Sequence, residues 1–182
     1  MTYRTFLIAN TLFALGSGIS APYWVIRVNE IVGIKYFGIA FGISILFQSL
    51  SALLVGRYIT QRLKAVIYTQ FAFTFVVLLF STNLSFNTVM GLEVIIGILV
   101  AVQVVCVPVL IAEMSEKDNI GKRYGYFHSL DGVAIGLAMI VGSSISAIFG
   151  INSMFFIGAA FTFCSALLLW LASLKDYKKR EG

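Results

Sequence analysis

Long stretches of this chain contain no Asp, Glu, Lys or Arg: residues 5–26, 36–56, 65–92, 94–112 and 132–174. A helix needs about 20 residues to cross roughly 30 Å of hydrocarbon. The first four stretches each hold one span. The last is about twice as long and needs a reversal, which Gly150-Ile151-Asn152-Ser153 supplies. The pattern predicts six helices, at about 6–28, 36–58, 65–82, 88–112, 126–148 and 154–174, forming one transmembrane domain over residues 1–182.

Polar and small residues interrupt these spans at few places. Helix one carries Gly16-Ser17-Gly18 and Pro22. In lipid such breakers survive where protein or a cavity satisfies the loosened backbone, so a bend lined by Asn10, Ser17 and Ser20 is expected. Arg27 and Glu30, three residues apart at its exit, read as a local ion pair. Helix two opens with Gly38-Ile-Ala-Phe-Gly42, a small-xxx-small pattern that lets another helix approach closely. Gln48 lies near its midpoint, where an unsatisfied amide is costly. Helix three has Gln70 as its strongly polar group, and Phe71, Phe73, Phe75 and Phe80 suggest lipid contact. Helix four carries Glu93 one to two turns from its outer end and Gln103 deeper. Helix five carries His128 and Asp131 near its inner end, followed by Gly132, Gly136 and Gly142. Trp170 anchors helix six at the interface.

Composition agrees with lipid as the main solvent. The chain is 59% hydrophobic and 12% charged, with mean hydropathy +0.95, where a soluble domain is about 25% charged. With the N-terminus inside, Arg4, Arg57, Arg62, Lys64, Lys117, Lys122, Arg123, Lys175, Lys178, Lys179 and Arg180 fall on inner segments, and only Arg27 and Lys35 on outer loops. That bias places both termini in the cytoplasm, and a bacterial or archaeal cytoplasmic membrane is the expected location. It also accounts for the net charge of +5. A nucleic-acid partner would want these cations on one folded surface. Cys106 and Cys164 read as apolar core thiols, and the ligand clusters of a metal site are missing.

Residues 108–125 read P-V-L-I-A-E-M-S-E-K-D-N-I-G-K-R-Y-G. They resemble the loop between the fourth and fifth helices of a major facilitator superfamily transporter, in which a Pro-x-x-x-x-Glu helix end leads into an Arg-Gly-x-x-x-Gly turn. Pro108, Glu113, Gly121 and Gly125 sit in that frame. Ile120 holds the arginine position, with Lys122 and Arg123 close behind. Residues 56–64, G-R-Y-I-T-Q-R-L-K, are similar to the family's Gly-x-x-x-Asp-Arg-x-Gly-Arg loop at Gly56 and Lys64. Thr60, Gln61 and Leu63 replace its aspartate, arginine and second glycine. Gly132 and Gly136 resemble the glycine-rich fifth helix found in part of that family.

The resemblance implies one six-helix half of a secondary transporter, an all-α membrane fold made of two inverted three-helix repeats, with no cofactor. A shift of 86 residues lays Pro22 over Pro108, Glu30 over Glu116 and Gly56 over Gly142, as inverted triplets allow. Such a half moves a small solute or ion by alternating access, and needs a mate: a second copy of itself or a separate second half. Helices one and four would line the cavity, with Ser17, Ser20, Gln103 and Glu93 as contacts. Helices two and five would supply the moving interface through Gly38, Gly42, Gly132 and Gly136. Gly56, Lys64, Glu113 and Arg123 would belong to the inner gate.

Ionisable groups inside a span are expensive and often functional. Glu93 and Asp131, with His128 one turn away, are candidates for proton coupling; hydrated structural positions near the interfaces are the alternative. Enzyme readings lack parts. Asp131-Gly132 opens like a phosphatidyltransferase signature, but the next acidic residue is Asp176. Intramembrane serine proteolysis lacks its Gly-x-Ser-Gly-like motif. A different class remains open: a substrate-binding membrane subunit similar to the vitamin-capturing components of energy-coupling factor importers. Those dock through an Ala-x-x-x-Ala face of helix one, whereas Ala9 and Ala14 of this chain are five apart. A membrane subunit without a substrate is a third possibility.

Overall fold

The computed structural model describes residues 1–181, with side chains described through Lys175. Lys178, Lys179 and Arg180 of the charge bias therefore lie outside the described side chains. Among the described residues there are six long helices and no strand: α1 (Tyr3–Val32), α2 (Ile34–Tyr58), α3 (Arg62–Leu79), α4 (Phe86–Glu113), α5 (Ile120–Phe149) and α6 (Ile151–Glu181). All six are long and apolar enough to cross a membrane. At 1.5 Å per residue, α3 spans about 27 Å and α1 about 45 Å. Most of the helices therefore reach past the hydrocarbon into the headgroup region.

Two reversals are tighter than expected. Gly33 alone separates α1 from α2, at φ +75, and Gly150 alone separates α5 from α6, at φ +79. Each donates its N–H four residues back, to Asn29 and Ser146 respectively, and only glycine adopts that backbone without strain. The start of α5 is earlier than the expected residue 126. A single 3-10 turn, Lys117–Asn119, leads straight into Ile120. Gly121 and Gly125 are thus helical, which weakens the helix by about 1 kcal/mol each. His128 and Asp131 consequently lie two to three turns inside α5.

The helices pack in the series α5, α1, α6, α3, α4, α2, each chiefly on its neighbours, with smaller α1–α2, α1–α4, α4–α5 and α5–α6 contacts crossing the bundle. Small residues set the seams. A Cβ on Gly16 would stand 2.6 Å from the Gly158 carbonyl oxygen, and one on Gly18 2.8 Å from the Ile135 Cα. A Cβ on Gly97 would collide with the Ser44 carbonyl oxygen. These three contacts join α1 to α6, α1 to α5 and α4 to α2. The structure thus gives Gly16 and Gly18 a packing role that the bend reading missed. Pro22 and Pro108 sit within continuous helices.

Gly38, Gly42, Gly132 and Gly136 meet nothing within 4 Å of a built Cβ, so within this chain they are not helix contacts. A small-xxx-small pattern flattens one face but does not say whether that face turns inward. The series ends at α2 and α5, and their outer faces carry exposed apolar residues such as Leu46, Leu50 and Leu53 on α2 and Val133, Leu137 and Ile140 on α5. In water that would be a severe liability, but lipid tails are as apolar as leucine.

Two apolar layers fill the bundle. One gathers Val28, Phe80, Val89 and Phe155, the other Phe6, Val66, Ile111 and Leu169. Between them lie buried polar groups. The Ser165 hydroxyl oxygen is 2.5 Å from the Ala9 carbonyl oxygen and 2.8 Å from the Gln70 amide oxygen. Thr74 and Thr162 meet at 2.9 Å. Three expectations change here. Phe80 is 2% exposed and belongs to the core, while Phe75 faces outward. Cys164 is exposed rather than a core thiol, whereas Cys106 is buried. Ala9 and Ala14 are buried inside the chain, so that stretch of α1 is covered by this protein's own helices rather than presented for docking.

Candidate functional site

The helices hold two cavities between them. The first, of about 250 Å³, lies among α1, α2, α3, α4 and α6 and is lined by Ser17, Ser20, Trp24, Ser44 and Gln48 together with phenylalanine rings. The second, of about 280 Å³, lies among α1, α4 and α5 and is lined by Asn10, Gln103, Tyr124, His128 and Asp131. The first is nearer the Gly33 end of α1 and the second nearer its N-terminus.

Expected contacts therefore divide between two places. Ser17 and Ser20 face the first cavity and Gln103 the second. Ten residues separate Glu93 from Gln103 along α4, about 15 Å of helix, so one small solute cannot touch both. Ser17 donates to the Ala14 carbonyl at 3.1 Å and Ser20 to the Gly16 carbonyl at 3.0 Å. Their hydroxyl protons are thus committed to their own helix, leaving lone pairs for a ligand.

For Glu93 the structure decides between the two readings of its surroundings. A hydrated position near the interface is ruled out, because the side chain is 0% exposed. Its Oε1 accepts the Trp24 indole N–H at 3.0 Å, and its Oε2 has no partner. It does not itself line the first cavity; Trp24 does, standing between carboxyl and space. A buried carboxyl with an unpaired oxygen is costly.

His128 and Asp131 share the second cavity as their i,i+3 spacing implied, and the His128 ring lies edge-on to Tyr124 at 5.4 Å. The Gln103 amide nitrogen is buried there without a partner.

The gate residues separate in the same way. Glu113 pairs with Arg62 at 2.5 Å, tying the end of α4 to the start of α3. Arg123 donates to the Met114 carbonyl and stacks over the Tyr3 ring at 5.0 Å, while the Tyr3 hydroxyl donates to the Arg123 carbonyl at 2.8 Å. Arg123 thereby joins α1, the connecting loop and α5. Lys64 is exposed, and a Cβ on Gly56 would make only an ordinary contact with Val105 at 3.9 Å. At the other end Arg27 and Glu30 form the expected ion pair at 3.6 Å.

Sequence reasoning did not single out Trp24, Ser44 or Tyr3. For Trp24 a signal existed: Ser17, Ser20 and Trp24 follow helical spacing on one face. Tyr3 and Ser44 act through neighbours on distant helices, which no local pattern reveals.

Comparison with known proteins agrees with this architecture. A family model described as Major Facilitator Superfamily matches residues 6–182. Neither the curated proteins nor the solved structures give a match.

Proposed function

The chain belongs to the Major Facilitator Superfamily, a family of membrane transporters, and from that premise we propose that it is one half of a proton-coupled secondary transporter. In this reading it moves a small solute by alternating access, as a homodimer or with a second half. The observation that carries the proposal is a pair of cavities lined by different helices of one six-helix bundle. The outermost helices of the packing series, α2 and α5, each pack chiefly on a single neighbour; α2 lines the first cavity and α5 the second. A path across the membrane needs a second half facing this one.

An inverted repeat has support in the packing. Exchanging α1, α2 and α3 for α4, α5 and α6 turns the α1–α5 seam into α4–α2 and the α1–α6 seam into α4–α3. The cavities follow the same exchange. Ser17, Ala21 and Ile45 of the first and Gln103, Val107 and Asp131 of the second stand 86 residues apart, pair by pair. Rocking of such a half about its mate is the standard consequence of this symmetry.

In this mechanism the mate docks along α2 and α5, where Gly38, Gly42, Gly132 and Gly136 leave flat, unoccupied strips. The ties at Arg62–Glu113 and Arg123–Tyr3 stiffen the end assigned to the cytoplasm. Glu93 and Asp131, one beside each cavity, are the proton carriers. The charge bias of the inner segments supports cytoplasmic termini.

The test is flux in sealed liposomes carrying an imposed pH gradient. Glu93→Gln or Asp131→Asn should abolish gradient-driven solute movement while leaving assembly intact. Undiminished flux in both variants removes the coupling role.

A further inference from the structure

We propose that the first cavity binds a monovalent organic cation with a flat, apolar body, its charge held by the Trp24–Glu93 pair and its body by the surrounding phenylalanine rings. The inference names a substrate class for the substrate face proposed above and rests on that reading.

Three observations carry it. The first is the wall. Phe41, Phe73, Phe80 and Phe155 line the cavity with Trp24, and the Trp24 and Phe41 rings stand 6.0 Å apart and tilted at 50°. Aromatic faces attract cations, tryptophan most strongly. The second is the carboxyl behind the indole. A carboxylate accepting the Trp24 N–H at 3.0 Å polarises the ring, which makes its exposed face more negative. The cation therefore feels Glu93 through Trp24 without needing to touch it. The third is charge balance. No Lys, Arg or His lines this cavity, and among the described residues no cation is paired with Glu93. A buried carboxylate lacking a counter-charge is expensive, and a bound cation supplies one.

The same facts argue against other solutes. An anion would meet Glu93 and no compensating base. A polyol needs many donors and acceptors, whereas Ser17 and Ser20 have spent their protons on backbone carbonyls, leaving Ser44 and Gln48 as the remaining polar lining.

The test is equilibrium binding to the purified protein, in whatever assembly it forms in detergent, with no flux required. Trp170→Phe, a change on an exposed position of α6, leaves Trp24 as the only indole and so as the fluorescence reporter. The probes are benzyltrimethylammonium, the neutral N,N-dimethylbenzamide of similar size, anionic benzenesulfonate, and tetramethylammonium, which has the charge without the ring. Benzyltrimethylammonium should quench Trp24 saturably and bind at least about tenfold tighter than the other three, a preference of the size that a desolvated cation–π contact provides. Glu93→Gln should erase its advantage over the amide while leaving amide binding unchanged. Equal affinity for the amide, preference for benzenesulfonate, tetramethylammonium binding as tightly, or no saturable binding would each overturn the assignment. Should Glu93→Gln not fold, the probe series on the Trp170→Phe protein decides by itself. Cation binding without any flux would remove the transport reading and keep this site; coupled flux of another solute without cation preference would do the reverse.

Discussion

Glu93 and Trp24 are where a single side chain reveals most about what this protein does. The Trp24 indole N–H donates at 3.0 Å to a carboxyl that is 0% exposed. Trp24→Phe keeps an aromatic ring and removes that donor from the buried carboxyl. Thermal unfolding in detergent should show a loss of about 1–3 kcal/mol, the usual desolvation penalty for an orphaned buried acceptor. No measurable loss would mean that Glu93 finds another partner. The Arg62–Glu113 pair makes a useful contrast. Its side chains are 34% and 49% exposed, so Glu113→Gln should change stability by no more than about 1 kcal/mol in the same unfolding assay. An effect on transport rate without one on stability would then mark it as part of a moving gate.

At the scale of helices, the glycines separate internal seams from open faces. Gly97→Leu forces a side chain into the Ser44 carbonyl and should cost 1–3 kcal/mol or more, roughly the penalty of overpacking. Gly38→Leu meets open space inside the chain and should leave its folding unchanged while weakening association with a mate. Size-exclusion profiles and melting curves of the two variants should therefore diverge: the first unfolds early, the second remains folded but dissociates. This distinction was only half legible in the sequence. Span number, the reversal at Gly150 and the helices carrying Ser17, Ser20, Glu93, Gln103, His128 and Asp131 could be read from charge-free lengths. Lys64, Glu113 and Arg123 fall outside the expected helices, yet lie in α3, α4 and α5. Which face of a span turns inward could not be read, because lipid accepts apolar residues as readily as a core does. Phe75 and Phe80 look alike in the sequence, yet one is 63% exposed and the other 2%. Gly38 and Gly97 differ in the same way. For Glu93 the sequence left burial and a hydrated interfacial position open, because its partner comes from α1, 69 residues away.

For the molecule as a whole, the proposed carrier pairs this six-helix bundle with a mate. The family match, the unoccupied strips on α2 and α5 and the exchange symmetry of the seams converge on a six-helix half. Gradient-driven flux and the cation preference depend on that arrangement in different ways, since binding to the first cavity uses residues of one half alone. The most direct measurement is the protein mass of the detergent-solubilised complex after the detergent contribution is subtracted. A two-part carrier predicts at least about 40 kDa, twice the 20.0 kDa of this chain. A 20.0 kDa monomer that still drives coupled flux when reconstituted at one chain per vesicle would contradict it.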